Sequence, residues 1–206
     1  MTDVTKRPTQ LEHADAMKVV QAAHREKMAE TSDAERGLFV AYTGSGKGKS
    51  SSAFGIIARA LGWGHKVAVV QFIKGKWITG ERQFFARFPE DVTWKSMGEG
   101  FTWDVQDLSR DVAAATTALA QGATWLASGE YDLVVMDEIH IALRYDYLTS
   151  EAVLAAAMAR HPRTSIVTTG RNAPQALIDA ADLVSEMTEI KHPFKVGIKA
   201  KRGIDF

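Results

Sequence analysis

The stretch Gly37-Leu38-Phe39-Val40-Ala41-Tyr42-Thr43-Gly44-Ser45-Gly46-Lys47-Gly48-Lys49-Ser50-Ser51 constrains this chain more than any other. An apolar, β-rich run passes into a glycine-rich loop and then into a helix-forming segment, which is the layout of a phosphate-binding loop. Glycines let the backbone curl so that successive N–H groups converge on an anion. The following helix adds the positive end of its dipole, and Lys49 supplies a full charge. Ser50 is placed to put its hydroxyl on a bound Mg²⁺. The spacing G-x-x-x-x-G-K-[ST] is met at Gly48, Lys49 and Ser50, but its first position falls on Thr43, with Gly44 one residue late. With a second cation at Lys47, such a loop is expected to hold a polyphosphate differently from an ordinary one.

A strand–loop–helix of this kind belongs to an α/β sheet, and the rest of the chain reads the same way. Residues 52–61 have helical spacing, with Phe54, Ile57, Ala58 and Leu61 inward, and carry Arg59; Gly62 and Gly64 end the helix. Residues 66–72 form an almost unbroken β-type run, as expected of a strand covered on both faces in a parallel sheet. There follow a short helix near 81–88, a strand near 92–95 and a helical segment over 104–128. Next come a strand over 131–136, a helix over 151–160, a strand over 165–169, a helix opened by Ala173-Pro174 and a last strand near 183–187. The alternation predicts a mostly parallel sheet flanked by helices on both faces. The 206 residues, 46% hydrophobic, suffice for one such domain and not for two large ones.

Functional residues are expected where strands end. The run into Met136-Asp137-Glu138 is a Walker B pattern, which places two carboxylates beside the phosphate loop to hold Mg²⁺ directly or through water. Gly170-Arg171-Asn172 puts Arg171 on the same edge. Met97-Gly98-Glu99-Gly100-Phe101-Thr102-Trp103 is a loop presenting two large aromatics, equally readable as ligand contacts or as plugs of a core edge. Residues 1–36 carry only a thin apolar stripe (Leu11, Ala14, Met17, Val20, Ala23) and read as a tail or as a helix that docks over a site or partner. Residues 191–206 are basic and glycine-punctuated, a closing flap or a solvated end.

Lys plus Arg and Asp plus Glu number 25 each, so no overall field favours nucleic acid or an anionic membrane. No apolar run would span a bilayer and the start has no secretory pattern, so a cytoplasmic protein is expected. The absence of cysteine excludes disulfides, zinc ribbons and thiol catalysis. Three chemistries compete for the loop and the acids. Asp137-Glu138-Ile139-His140 is similar to a helicase box, but helicases pair two such domains with a basic track. A small-molecule kinase would need an acceptor base, and only Asp137 or Glu138 offers one. The third chemistry attacks the ribose C5′ of ATP and releases triphosphate.

On Thr43-Gly44-Ser45-Gly46-Lys47-Gly48-Lys49-Ser50-Ser51, Val70-Gln71-Phe72-Ile73-Lys74-Gly75, Gly80-Glu81-Arg82, Gly100-Phe101-Thr102-Trp103, Val135-Met136-Asp137-Glu138, Tyr145-Asp146-Tyr147-Leu148, Thr169-Gly170-Arg171 and Gly203-Ile204-Asp205-Phe206, the chain closely resembles the P-loop type of ATP:corrinoid adenosyltransferase of cobalamin biosynthesis. The resemblance covers residues from about 36 to the last. It implies a RecA-like P-loop fold and an ATP that lies reversed in the loop, which suits the displaced glycine. The family's loop usually has asparagine and threonines where this chain has Ser45, Ser50 and Ser51; Ser50 keeps the hydroxyl.

Carried over residue by residue, the resemblance implies ATP contacts at Thr43, Gly44, Ser45, Gly46, Lys47, Gly48, Lys49, Ser50, Ser51, Arg59, Glu138 and Arg171. It implies Mg²⁺ or Mn²⁺ at Ser50 with Asp137 or Glu138, and catalytic roles for Lys49, Phe101 and Trp103, the aromatic pair stripping an axial ligand from the corrinoid cobalt. It further implies a homodimer, a flavin or flavoprotein reductant, a helical lid within 1–36, a nucleotide- and corrinoid-binding domain over 37–190 and a flap over 191–206. The kinase remains the alternative.

Overall fold

The structure is a computed structural model that describes residues 9–32, 36–73, 79–97 and 108–205. It divides into two compact units, residues 1–35 and 36–206. The first is built on one helix, α1 (Gln10–Ala29). Thr9 caps it: its hydroxyl accepts the Glu12 N–H, and the Glu12 carboxylate accepts the Thr9 N–H at 2.8 Å, a reciprocal capping box. No residue of α1 is buried.

The second unit holds a six-stranded sheet. Its strands are β1 (Phe39–Thr43), β2 (Val67–Gln71), β3 (Val92–Ser96), β4 (Leu133–Asp137), β5 (Ser165–Thr169) and β6 (Leu183–Glu186). All pairings are parallel, in the order β3-β2-β4-β5-β1-β6. Among the described residues the helices between them are α2 (Lys49–Gly62), α3 (Gly80–Phe85), α4 (Leu108–Ser128), α5 (Ile139–Arg144), α6 (Ser150–Met158) and α7 (Gln175–Ala180), followed by a 3₁₀ turn at Pro193–Val196. A parallel sheet needs cover on both faces, and the strand alternation supplies two cores. Val67, Val69, Val135 and Val167 pack with Ala53, Phe54 and Ile57 of α2. Ala68, Val70, Val134 and Met136 pack on the other face with Leu119, Trp125, Leu126 and Val153.

Several expectations shift. The helix after the loop starts at Lys49 rather than Ser52, and Ala58, expected inward, is exposed, its place taken by Ala60. The spacing gives no sign of α5, because six residues are too few for a periodic signal and its N-cap, Glu138, caps by no side chain. Strand β5 lies between β1 and β4, so the phosphate loop and the acidic strand end are not sheet neighbours. Thr169, the last residue of β5, stands between them.

Candidate active site

The loop after β1 is held open from behind. Gly44 has φ +101°, and a Cβ there would lie 2.4 Å from the Met187 carbonyl oxygen. At Gly46 a Cβ would come within 2.8 Å of the Thr188 backbone. Only glycine allows the loop to lie this close to residues 187–188. The Met187 N–H donates to the Thr43 carbonyl at 2.8 Å and the Gly46 N–H to the Met187 carbonyl at 2.7 Å. Gly48, at φ +112°, then turns the chain into α2 without a side-chain cap, leaving the helix's first N–H groups facing the cavity.

A cavity of about 500 Å³ lies over this turn. Gly46, Lys47, Gly48, Lys49, Ser50 and Ser51 line it on one side, Glu138 and Arg171 on another. The Lys49 ammonium donates to the Gly46 carbonyl, and the residue is buried. Burial holds its pKa below the ordinary lysine value; Arg171 and Lys47 push the same way, and Glu138 opposes them. Lys47 pairs with Asp205 at 2.7 Å, so residue 205, far away in sequence, reaches the loop. This pairing, with the Lys201 N–H, holds the Asp205 carboxyl below the usual aspartate range.

The predicted residues separate into groups. Lys49, Ser50, Ser51, Lys47, Gly46, Gly48, Glu138 and Arg171 share the cavity. Thr43 and Ser45 instead serve the loop's support: the Thr43 hydroxyl accepts the Ala173 N–H at 2.9 Å, and the Ser45 hydroxyl accepts the Glu189 N–H at 3.4 Å. Gly44 supplies the turn, and Arg59 is exposed near the far end of α2, away from the cavity lining. Asp137 is fully buried and accepts from Gln71 Nε2 at 2.9 Å and from the Thr169 hydroxyl at 2.7 Å. Of the two acids, Glu138 is the one that lines the cavity. Phe101 and Trp103 lie outside the described residues.

Glu81, Ile141, Arg144 and Tyr145 also line the cavity and have no site role in the sequence reading, although Glu81 and Tyr145 fall in stretches that carry the family resemblance. Arg144 lies over the Tyr145 ring, 5.7 Å from its centroid, and Tyr145 stacks on Tyr147 at 5.7 Å. The Arg-Tyr-x-Tyr run was the available signal, but without α5 nothing aimed it at the loop. The cavity's oxygen donors are hydroxyls and carboxylates, Ser50 and Glu138 among them, hard ligands suited to Mg²⁺ or Mn²⁺. Among the described residues no group of three or more His, Cys, Asp or Glu could hold a metal alone. A cation there would share its coordination with nucleotide oxygens, the usual arrangement for Mg²⁺.

The profile of the family "ATP:corrinoid adenosyltransferase BtuR/CobO/CobP" matches residues 35–206. This chain belongs to that family. It is 52% identical to a corrinoid adenosyltransferase of Pseudomonas aeruginosa over 194 residues, covering 94% of this chain and 95% of that protein. It is 44% identical to the corrinoid adenosyltransferase CobA of Salmonella typhimurium, covering 84% and 87%. With a corrinoid adenosyltransferase of Escherichia coli the identity is 41%, covering 87% and 90%. The chain is therefore a transferase that acts in corrinoid adenosylation, and the kinase alternative is not favoured. In fold it is similar to the flagellar accessory protein FlaH from Methanocaldococcus jannaschii, with TM-score 0.50 and 11% identity, covering 73% of this chain and 71% of that one. That likeness concerns the α/β fold alone. Among the described residues no helix is long and apolar enough to cross a membrane.

Proposed function

We propose that the chain transfers the 5′-deoxyadenosyl group of ATP to the Co(I) centre of a corrinoid and releases inorganic triphosphate. The observation that carries this reading is the cavity in which Lys47, Lys49 and Arg171 surround an uncapped helix start, with Ser50 and Glu138 beside them. Such a site neutralises a polyphosphate. Co(I) is a nucleophile without help from a base. Its electron pair forms the cobalt–carbon bond at C5′ while the C5′–oxygen bond breaks, and the departing pair leaves on triphosphate. Lys49 and the loop amides stabilise that growing charge, and the cavity walls align sugar and cobalt. Ser50 and Glu138 would hold Mg²⁺ or Mn²⁺, which adds further charge neutralisation on the polyphosphate.

Asp137 takes a supporting part in this reading, because both its oxygens already accept hydrogen bonds inside the sheet. Phe101 with Trp103 excludes the lower axial ligand of cobalt while a flavin or flavoprotein supplies the electron. Helix α1 acts as a lid and residues 191–206 as a flap, in a homodimer of the cytoplasm. The exposed Leu183, Val184, Ile190, Phe194 and Val196, along β6 and the segment after it, support association of two copies. The test is to incubate the protein with ATP, Mg²⁺ and chemically reduced corrinoid. Adenosylcorrinoid and triphosphate are expected in equal amounts; ADP or orthophosphate as the primary product refutes the reading.

A further inference from the structure

A chain of hydrogen bonds crosses four strands at the carboxyl edge of the sheet. From β3, Trp94 Nε1 and the Ser96 hydroxyl donate to Gln71 Oε1 at 3.1 and 3.0 Å. From β2, Gln71 Nε2 donates to Asp137 Oδ2 at 2.9 Å. From β5, the Thr169 hydroxyl donates to Asp137 Oδ1 at 2.7 Å, and its oxygen accepts the Glu138 N–H at 2.9 Å. Gln71 is 2% exposed, and Asp137 and Thr169 are fully buried.

The direction of every bond is determined. An indole N–H can only donate, so the Gln71 carbonyl oxygen must face Trp94 and its amide nitrogen must face Asp137. The Asp137 carboxylate, accepting that N–H, also takes the Thr169 proton. Thr169 thereby presents a lone pair, not a proton, to the Glu138 N–H. Glu138 needs such an anchor, because its φ of +66° is a left-handed conformation that a non-glycine residue holds only when its surroundings impose it.

We propose that Gln71 is a positioning residue for the reaction, acting through Asp137 and Thr169 to aim the Glu138 carboxylate at the metal–nucleotide position in the cavity. The proposal rests on the reading of Glu138 as a metal contact. Groups that orient a metal's ligands without touching it commonly alter affinity by about 10- to 100-fold when removed. Gln71 has that relation to Glu138 from the adjacent strand β2, through Asp137 and Thr169.

The test measures ATP dissociation constants with and without Mg²⁺ for wild type, Gln71→Leu, Thr169→Val, Thr169→Ser and Glu138→Gln. Gln71→Leu and Thr169→Val are expected to reduce the Mg²⁺-dependent gain in ATP affinity by about tenfold or more while leaving metal-free affinity unchanged. Thr169→Ser, which keeps the hydroxyl, should retain the gain. Equal loss of metal-free and metal-dependent affinity, or an unaltered gain in Thr169→Val, overturns the proposal. If Gln71→Leu does not fold, the Val and Ser variants at 169 decide. If Glu138→Gln keeps the full gain, the reading of Glu138 itself fails. If it loses the gain while Gln71→Leu and Thr169→Val keep it, only the relay fails.

Discussion

His140, the second residue of α5, gives a stability signal that can be worked in numbers. It is fully buried, with Nδ1 3.3 Å from the Gly170 carbonyl and Nε2 3.0 Å from the Thr168 hydroxyl. A carbonyl cannot donate, so Nδ1 carries the proton and Nε2 accepts from Thr168. Burial lowers its pKa from 6.5 to about 4; the Gly170 carbonyl opposes the shift and the Lys49 charge reinforces it. The unfolded chain therefore binds a proton near pH 6.5 that the folded chain refuses until about pH 4. Stability from this group is complete above pH 6.5 and is lost as pH falls toward 4. At about 1.4 kcal/mol per pH unit the loss approaches about 3 kcal/mol, a large share of the roughly 5–15 kcal/mol of a typical domain. Urea unfolding of metal-free protein at pH 7.5, 6.0, 5.0 and 4.5, compared with His140→Phe, measures it. The variant loses both hydrogen bonds and should be less stable at pH 7.5 by roughly 1–3 kcal/mol. It has no ring to titrate, so the gap to wild type should close as pH falls. A gap that stays constant across this range refutes the assignment.

Lys49→Ala should lower turnover on the order of a hundredfold or more, as expected for a lost transition-state charge contact, and near-normal kcat would show that Lys49 does not face the leaving group. Phe101→Ala and Trp103→Ala should abolish most activity starting from Co(II) corrinoid and spare much more when Co(I) is supplied; equal losses from both starting states would remove the aromatic pair from the reduction step. Gly170→Ala would place a Cβ 2.7 Å from the His140 Cβ at a backbone φ of +141°. Denaturant unfolding should show a loss of at least roughly 1–3 kcal/mol, and an unchanged midpoint would contradict the packing described.

What the sequence made legible was local. The phosphate loop, α2 and the acidic end of β4 are contiguous stretches whose residue types suit one backbone shape each, and the structure places them together. The pieces that escaped are joined across the chain. Nothing in the spacing separates Asp137 from Glu138, because only the neighbours Gln71 and Thr169, brought in by β2 and β5, occupy one carboxylate and leave the other to line the cavity. Strand order is equally invisible: alternation predicts a parallel sheet and says nothing of β5 lying between β1 and β4. Arg144 was hidden because α5 is too short to show a period. Ser45 was carried over as an ATP contact from the family resemblance, and nothing in the sequence signals that its hydroxyl accepts the Glu189 backbone N–H.

The ion pair between Lys47 and Asp205 gives the loop a resident counter-ion. An incoming polyphosphate does not meet a bare ammonium there; it exchanges for a carboxylate that already occupies one. The gain at Lys47 is then the difference between two pairings, smaller than the contact alone would suggest. Part of the electrostatic work on that side of the cavity is done before any nucleotide arrives. Nucleotide affinity should accordingly weaken less steeply with added salt than the number of cations around the cavity implies, and Asp205→Asn should make that dependence steeper.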